Sequence, residues 1–341
     1  MSSGSSSKLQ RFVIAGCLKR DYILPISGPA QIDILGGNLP YAAVGLTLWG
    51  KTAGLLARVG KDFPLDDLDR LGTLGFNLSG IKVLSQPVDS RRFMAHIDPG
   101  TTHYRNPVQH FADRGLRFPP ELLGYRSKVF NHSSRTNPLP VTIQISDIPE
   151  DYLYASAVHI CPIDYLSHLL LPSVFRQGQA SNITLSSTPG YMDPSFWEEI
   201  PGLLSEITAF ITTEGEIRNL FLGRQTDLWE MANGLGEFGP EYVIIHTNNL
   251  GYYLYDRHRD MRWTVPDYQS RIVDPTGADD AFAGGFLAGY REFYDPLEAA
   301  VMGSIAASIV VEGSGVYYAA DTMPELIKAR QLALKELVRE V

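Results

Sequence analysis

Short apolar runs alternate with amphipathic stretches along most of the chain. The runs are bounded by glycine or polar residues, as is typical of buried strands in a parallel sheet. The predicted buried strands cover residues 12–16, 52–59, 158–161, 182–185, 208–211 and 242–246. Apolar residues at helical spacing predict helices over residues 39–49, 65–75, 165–176, 195–205, 296–311 and 324–340. This alternation predicts an α/β fold with a doubly wound sheet.

Further strands are predicted outside this regular alternation. Apolar and polar residues alternate in residues 22–26 and 31–35, as in half-buried strands. Strand-like segments also cover residues 81–84, 91–97, 101–105 and 252–256, with a turn at residues 98–100. Arg91 and Arg92 open one of these strands, and we interpret them as charges on a solvated sheet edge.

Residues 271–290 (RIVDPTGADDAFAGGFLAGY) combine a tight turn with the start of a helix. Aromatic residues recur every four positions from Phe282 to Tyr290, which predicts an amphipathic helix. Asp279 and Asp280 fall in its first turn, where backbone N–H groups lack helical partners and attract anions. A carboxylate beside such donors can take a hydroxyl proton while the N–H groups receive the charge of a phosphoryl group. Ordinary helix capping explains an acid-rich helix start equally well.

The string DPTGADDAFAGG resembles the DTxGAGDxFxGG signature of the ribokinase/PfkB family of carbohydrate and nucleoside kinases. The resemblance implies that Asp280 is the catalytic base and that Gly277, Ala278 and Asp279 form an anion hole. Asp279 replaces the second glycine of the signature, so a negative charge is added near the phosphate. Either this side chain points away, or transfer is weakened.

The resemblance extends from about residue 11 to residue 340 and implies a fold as well as a site. The expected architecture is ribokinase-like: a doubly wound, mostly parallel sheet with helices on both faces and a small β-sheet lid. The expected division of the chain is a disordered tail at residues 1–10, a kinase domain at residues 11–20, 36–85 and 112–341, and a lid at residues 21–35 and 86–111.

The region after the first predicted strand is similar to the family's acceptor site. The resemblance implies that Asp21, Gly36 and Gly37 hold hydroxyl groups of the acceptor. Tyr41 stands where an asparagine is common, and its aromatic face suits a base or an apolar ring edge better than hydroxyls. An Asp in a loop after a strand also forms turns without any ligand. The expected partner is a small-molecule sugar or nucleoside.

The resemblance implies ATP as phosphoryl donor and Mg²⁺ as cofactor. Thr213 and Glu216 give the best match to the family's NxxE segment, with Glu216 steering Mg²⁺ and Glu214 as the competing position. One carboxylate at the end of a strand is adequate, because Mg²⁺ keeps several of its waters. A glutamate at a helix start is equally consistent with ordinary capping.

Other donor-side positions match the family more weakly. Asn248, Gly251 and Gly313 are expected near the nucleotide. His246 and Asn248 replace a threonine and a glycine of the family's TxGxxG segment, so the donor side is altered. Asp274 and Thr276 are expected to help hold a monovalent cation, as the resemblance implies for some members.

Residues 45–52 (GLTLWGKT) match the phosphate-loop pattern GxxxxGK[ST] letter for letter. A working loop of this kind follows a strand and opens a helix. Here the segment before Gly50 is predicted to be helical and the segment after it to be a strand. The order is inverted, so we interpret Gly50 as a helix stop.

Composition narrows the class of protein further. The chain has 341 residues, a formal net charge of −9 and 44% hydrophobic residues. It shows no basic footprint for nucleic acid and no apolar run long enough to span a membrane. Cys17 and Cys161 lie in apolar runs and are expected to be core residues rather than a disulfide. Because no leader pattern is present, we expect a cytoplasmic location.

These observations predict a kinase that moves the γ-phosphoryl group of ATP to a hydroxymethyl group of a sugar or nucleoside. The alternative is a catalytically weakened or inactive protein of the same fold that binds or regulates through a small molecule. A phosphate-loop NTPase using residues 45–52 is the third hypothesis. A homodimer through the lid is also expected, since the lid often serves as a dimer clasp in relatives.

Overall fold

The structure is a computed structural model that describes residues 10–127, 134–247 and 250–341. Its strands are β1 (Phe12–Ala15), β2 (Lys19–Leu24), β3 (Gln31–Gly36), β4 (Gly54–Val59), β5 (Asn77–Val83), β6 (Arg91–Asp98), β7 (Thr101–His103), β8 (Ala157–Ile160), β9 (Asn182–Ser186), β10 (Ala209–Thr213), β11 (Tyr242–Thr247), β12 (Gly251–Asp256), β13 (Met261–Val265) and β14 (Arg339–Glu340). Its helices are α1 (Asn38–Thr47), α2 (Leu65–Thr73), α3 (Pro107–Asp113), α4 (Tyr165–Gln177), α5 (Ile200–Leu204), α6 (Glu214–Leu220), α7 (Leu228–Gly236), α8 (Ala278–Phe293), α9 (Pro296–Val310), α10 (Tyr317–Ala320) and α11 (Pro324–Lys335). The expected tail at residues 1–10 lies outside the described residues except for its last position.

Ten strands form one large sheet in the order β14-β13-β12-β11-β10-β9-β8-β1-β4-β5. All pairs from β11 to β5 in this order are parallel. Strands β12, β13 and β14 extend the sheet with antiparallel pairing. The chain winds outward from β1 to β4 and β5 on one side and later from β8 to β11 on the other. The doubly wound, mostly parallel sheet predicted from the sequence is therefore confirmed.

Helices cover both faces of this sheet because successive side chains of a strand point to opposite sides. Val13 of β1 packs into a core shared with α4, α5 and α7, whereas Ile14 packs into a core shared with α1. Both side chains are fully buried, at 0% exposure. Helix α8 lies very close to α1, since a Cβ on Gly284 would be 1.9 Å from the carbonyl oxygen of Ala42. This close packing fixes the position of α8 against α1, and α8 also contacts β8 and β9.

Four strands form a second sheet, the lid sheet, in the order β3-β2-β6-β7. It has its own small core, made by Tyr22, Leu24, Phe93, Ala95, Phe111 and Leu122. The predicted β lid is therefore confirmed, while its limits at residues 21–35 and 86–111 stay a prediction. Strand β6 lies inside this sheet, between β2 and β7. Arg91 and Arg92 precede the part of β6 that pairs with β7, but Arg92 donates to the buried Asp21, so its interpretation as a solvated charge is wrong.

The lid sheet is tied to the turn that precedes α8. The N–H of Ile26, just after β2, donates to the carbonyl oxygen of Val273 at 2.9 Å. On the other side, the N–H groups of Val273 and Asp274 donate to the carbonyl oxygen of Val311 at 2.7 and 3.2 Å. The turn at residues 273–276 is therefore held between the lid sheet and the end of α9.

Several elements differ from the sequence prediction. Residues 195–205 form a short 3₁₀ helix, Pro194–Phe196, followed by the separate helix α5. Pro201 in the first turn of α5 cannot donate to a preceding turn, which separates the two. The predicted helix at residues 324–340 ends at Lys335, and Arg339 then pairs with Thr264 of β13, a strand that was not predicted.

Three remaining expectations concern isolated features. Residues 45–52 run from inside α1 through a turn to β4, so the order is inverted as predicted and no phosphate loop forms there. Cys17 and Cys161 are free thiols; Cys161 is buried in the core as expected, whereas Cys17 is partly exposed. Within the described parts of the chain, no helix is both long enough and apolar enough to cross a bilayer.

Candidate active site

A cleft of ≈ 1180 Å³ runs along the large sheet. It is lined, at or just after the carboxyl ends of β1, β8, β9, β10 and β11, by Cys17, Pro162, Ser187, Thr212 and His246. These strands lie on both sides of the point between β1 and β8 where the winding of the sheet reverses. Open α/β sheets bind their ligands at this point. The first turn of α8 and the side chain of Arg92 from the lid sheet complete the lining.

Gly277 precedes α8 with φ 81°, a left-handed conformation that favours glycine. A Cβ at this position would lie 2.1 Å from Cγ of Tyr41, so the tyrosine ring packs directly against the backbone of the turn. Tyr41 is only 1% exposed and does not line the cleft. Tyr41 therefore does not face the acceptor as expected. Its ring packs inside the protein against the turn before α8.

The first turn of α8 offers free hydrogen-bond donors. Ala278, Asp279 and Asp280 open the helix, and both aspartates line the cleft. The N–H of Ala278 is taken by the carbonyl oxygen of Pro275 at 3.3 Å. The N–H groups of Asp279 and Asp280 have no acceptor among the described residues. Two amides at the positive end of a helix can therefore receive an anion in the cleft.

Asp280 has the electrostatic character of a general base. Burial and the charge of Asp279 raise the pKa of Asp280 to about 7, against the opposing effect of Arg92. A base whose pKa lies near the working pH is deprotonated often enough to act and still accepts a proton readily. The position and the pKa together suit proton abstraction in the cleft.

Asp279 is paired with a cation. Its Oδ1 lies 2.6 Å from Nδ1 of His246, and its side chain is 53% exposed. Although burial opposes it, the charges of Asp279 and Asp267 raise the pKa of His246 to about 10. In return, although loss of solvation within the cleft acts in the other direction, the charge of His246 holds the pKa of Asp279 below its usual range. The pair is therefore an aspartate and an imidazolium in contact.

Asp21 is fully buried and does not line the cleft. Nε and Nη2 of Arg92 donate to its two carboxylate oxygens at 2.9 and 2.5 Å. The N–H of Gly37 also approaches Oδ2 at 3.4 Å. A Cβ on Gly36 would lie 1.8 Å from Oδ2, so this position accommodates only glycine. Of the residues predicted to bind the acceptor substrate, Gly37 lines the cleft. Asp21 does not, and its partner Arg92 lines the cleft instead.

The predicted cation site at Asp274 and Thr276 is occupied by protein groups. Nε2 of His96, from β6, lies 2.8 Å from Oγ1 of Thr276 and 3.2 Å from Oδ1 of Asp274. The N–H of Thr276 donates to Oδ1 at 2.9 Å, and the hydroxyl of Ser314 donates to Oδ2. Asp274 is 1% exposed. Both oxygens of this buried carboxylate therefore have donors, so these residues do not fit a monovalent cation.

The position of Glu216 at the cleft distinguishes it from Glu214. Glu214 instead pairs with Arg218 one turn along α6 at 2.7 Å. Oε2 of Glu216 accepts from Oγ of Ser187 at 2.6 Å and from the N–H and the hydroxyl of Thr213 at 3.3 and 3.2 Å. Helix capping and an Mg²⁺ contact by Glu216 are therefore compatible. Its Oε2 caps α6, while its Oε1 has no donor among the described residues.

The remaining predicted nucleotide contacts lie away from the cleft lining or outside the described chain. Gly251 begins β12 with φ 75°, and a Cβ there would lie 2.4 Å from the carbonyl oxygen of Val265. A Cβ on Gly313 would lie 2.2 Å from the ring of Tyr318. Both glycines are therefore needed for close backbone packing. Asn248 lies outside the described residues.

Comparison with known proteins decides the family. The model of the pfkB family of carbohydrate kinases matches residues 149–323, more than half of the chain. The chain belongs to the pfkB family of carbohydrate kinases. It is accordingly a carbohydrate or nucleoside kinase, as the sequence predicted.

Individual relatives agree with this assignment. The pfkB kinase described here is 28% identical to a cytidine kinase of Thermococcus kodakarensis over 280 residues, which cover 82% of this chain and 87% of the relative. It is 23% identical to a nucleoside kinase of Methanocaldococcus jannaschii over 327 residues, or 90% and 92% of the two chains. A putative ribokinase II of E. coli, solved with ATP and Mg²⁺, has the same fold, with a TM-score of 0.69 at 17% identity over 95% of this chain and 100% of that one.

Three site features of this pfkB kinase were not found from the sequence. Arg92 was assigned to solvent, His96 was not singled out, and the contact of His246 with Asp279 joins residues of different elements. Each contact bridges distant positions in the chain, and periodicity reports only which face of one element is buried. The only sequence feature that could have indicated a role for Arg92 in the site was its position at the start of a strand predicted to belong to the lid.

Proposed function

We propose that this kinase transfers the γ-phosphoryl group of ATP to a hydroxymethyl group of a nucleoside or a sugar, with Asp280 as catalytic base. One observation carries the proposal. Asp280 lines the cleft in the first turn of α8, where the N–H groups of Asp279 and Asp280 have no acceptor among the described residues. A base and an anion hole are thus placed side by side, as phosphoryl transfer to an alcohol requires.

In this proposal the carboxylate of Asp280 takes the hydroxyl proton as the acceptor oxygen forms its bond to the γ-phosphorus. The bond between that phosphorus and the bridging oxygen of ATP breaks, and ADP leaves. The free amides of Asp279 and Asp280 hold the oxygens of the migrating group. Positioning and electrostatics supply most of the rate in such reactions.

Glu216 is the proposed protein contact for Mg²⁺. Its Oε1 is free of described donors, while Oε2 is fixed by Ser187 and Thr213. No group of three or more acidic, histidine or cysteine residues among those described is arranged to hold a metal alone. One fixed carboxylate suits Mg²⁺, which usually shares its ligands with waters and substrate phosphates. The ion neutralises phosphate charge when bound.

The acceptor side of the cleft is formed by the lid sheet and the start of α1. Arg92 and Gly37 line it, together with Tyr104 and Tyr125. We propose a nucleoside as the acceptor class, because aromatic side chains stack on bases. The cytidine kinase and nucleoside kinase relatives, each matched over most of its length, support this choice.

A homodimer through the lid sheet belongs to the same proposal. Strands β3 and β7 form the two edges of that sheet, and the exposed apolar side chains Ile32 and Ile97 lie on it. Light scattering at several protein concentrations tests the expectation. Ile32→Asp is expected to lower the apparent mass if β3 forms the contact.

A panel of nucleosides and sugars, each supplied with Mg²⁺ and ATP, tests the proposed reaction. We expect ADP release and a phosphorylated product with at least one nucleoside. Ligand-induced stabilisation is measured in parallel, since ligand at a hundredfold excess over its Kd stabilises by about 2.7 kcal/mol. Stabilisation by a nucleoside without any turnover would contradict the proposal and favour a binding or regulatory protein.

A further inference from the structure

Asp279 creates an electrostatic problem at the first turn of α8. Its carboxylate lines the cleft, is 53% exposed, and follows directly after the turn at residues 274–277. A free carboxylate at this place competes with a phosphate for the positive end of the helix. It also opposes the approach of any polyanion. The charge of Asp279 must therefore be balanced if the first turn is to bind a phosphoryl group.

His246 is placed to supply that balance. It lies near the end of β11, and its Nδ1 is 2.6 Å from Oδ1 of Asp279. Its Nε2 lies 3.8 Å from Oδ1 of Asp267, in the loop that precedes α8. Glu216, just after the neighbouring strand β10, is a further carboxylate at this end of the cleft, and burial together with the charge of Asp279 raises its pKa. The imidazole is therefore surrounded by carboxylates and remains the cation of the group.

The ring of His246 is held in a fixed place by a stack of aromatic rings. It stacks on Tyr252 of β12 with a centroid distance of 4.5 Å and an interplanar angle of 16°. Tyr252 in turn stacks on Phe282 of α8 at 3.8 Å and 13°. Tyr252 is 1% exposed and Phe282 is fully buried. The cation is thus fixed relative to α8, so it loses little freedom when it meets an anion.

We propose that His246 is a positioning residue whose fixed positive charge neutralises Asp279 and thereby restores the first turn of α8 as a site for the terminal phosphates of a nucleoside triphosphate. This inference rests on the proposed function, because it assumes that the donor phosphates reach this turn. It assigns the two residues one joint role: Asp279 alone would repel the phosphates, whereas the pair is electrically neutral.

The joint role is tested with neutral substitutions of similar shape. The variants are His246→Asn, Asp279→Asn and the double variant, and the first readout is calorimetric binding of a non-hydrolysable ATP analogue with Mg²⁺. We expect His246→Asn to weaken binding roughly 10- to 100-fold, because it leaves Asp279 unbalanced in a partly screened cleft. The double variant is expected to recover to within about threefold of the wild type, since both charges are then removed.

An ion pair of similar exposure serves as the matched control. Lys51 and Glu292 lie 2.8 Å apart with 26% and 45% exposed side chains, close to the 26% and 53% of His246 and Asp279. Lys51 does not line the cleft. Lys51→Gln is therefore expected to leave affinity for the analogue unchanged. Thermal unfolding of every variant separates loss of binding from loss of fold.

A second readout follows the imidazole directly. In NMR titrations of the wild type, His246 is expected to stay protonated until about pH 10. In Asp279→Asn its pKa is expected to fall toward the ordinary value of about 6.5, since Asp267 then acts alone. Equal losses of affinity in His246→Asn and in the double variant would overturn the inference alone. A folded wild type that binds no analogue would overturn the proposed function and this inference together.

Discussion

Two carboxylate–cation pairs lie near Asp280, and they differ in almost every physical respect. Asp21 and Arg92 form a two-point contact in which the carboxylate is 0% exposed and the guanidinium 31%. Asp279 and His246 meet through one contact, with 53% and 26% of their side chains exposed. The first pair joins two strands of the lid sheet, whereas the second joins α8 to the large sheet.

The difference teaches where each pair acts. A buried charge without its partner is costly, because desolvation is no longer offset. We therefore expect the Asp21–Arg92 pair to act mainly on stability and on the shape of the acceptor side. An exposed pair contributes little to stability, so the Asp279–His246 pair is expected to act mainly on the anion that approaches it.

Asp280, between the two pairs, should give the largest effect. Loss of a general base costs about 10²- to 10⁴-fold in rate. We expect Asp280→Asn to lower kcat by this factor with an unchanged unfolding midpoint. Asp66→Asn is the matched control, since Asp66 is also in the first turn of a helix but is exposed and outside the cleft. Turnover unchanged by Asp280→Asn would remove it from the catalytic role.

Breaking the buried pair should give the next largest effect, on stability. Arg92→Met leaves Asp21 buried without a counter-charge, and we expect a loss of about 2–3 kcal/mol in the free energy of unfolding. This is below the 3–5 kcal/mol typical of a fully buried pair, because Arg92 is partly exposed. Urea unfolding measures the loss.

One control for this variant lies next to Asp21 on β2, and the other lies in the Asp21–Arg92 pair itself. Arg20→Met breaks the Arg20–Asp33 pair, whose side chains are 23% and 28% exposed, and should cost about 1 kcal/mol or less. Combining Asp21→Asn with Arg92→Met should recover part of the stability. If Arg20→Met lowered the free energy of unfolding as much as Arg92→Met, burial would not explain the difference expected between the two ion pairs.

His96 connects the lid sheet to the turn before α8, and its loss should have a moderate effect. In His96→Phe the buried carboxylate of Asp274 and the hydroxyl of Thr276 lose a partner, which should cost about 1–3 kcal/mol of stability. His96→Gln retains a donor and should lose less. If His96→Phe unfolds at the same urea concentration as the wild type, His96 does not join the two parts.

The pH dependence of kcat should give the smallest change and compare the pairs directly. Because the pKa of Asp280 is raised to about 7, kcat should fall as the pH drops below that value. The charge of Asp279 contributes to this raised pKa. Asp279→Asn should therefore move the acid limb of the profile to lower pH, by about one unit or less. An acid limb that stays in place would show that Asp279 does not influence Asp280.

The sequence predicted the turn before α8 because that turn is a local feature. The spacing of Gly277, Asp280 and Phe282 defines a turn, a helix start and a buried face within a few residues, and the structure has all three. The alternation of strands and helices predicted the sheet for the same reason. Strand β13 was not predicted, although Met261, Trp263 and Val265 alternate with Arg262 and Thr264 as in a half-buried strand.

The failures occurred where the answer depends on a distant partner. Arg92 was interpreted as solvated because its counter-ion, Asp21, lies 71 positions away. Tyr41 was assigned to the acceptor, yet it packs on Gly277 from another helix. Asp274 was expected to meet a cation, and His96, from the lid sheet, meets it instead. Local pattern cannot rank such alternatives, because each depends on tertiary packing.

The hydrogen bonds of the Val273 backbone limit how the lid sheet can move. The N–H of Ile26, next to the lid sheet, donates to the carbonyl oxygen of Val273. The N–H of Val273 donates to the carbonyl oxygen of Val311. If the lid sheet moved away from α8 as a rigid body, the hydrogen bond between Ile26 and Val273 would have to break. The same sheet is also tied to this turn through His96 of β6, which contacts Thr276 and Asp274 and is hydrogen-bonded in turn to Thr102 of β7. Separation of the lid sheet from α8 therefore requires several contacts to break together, which favours a lid that stays in place at its base near Asp280.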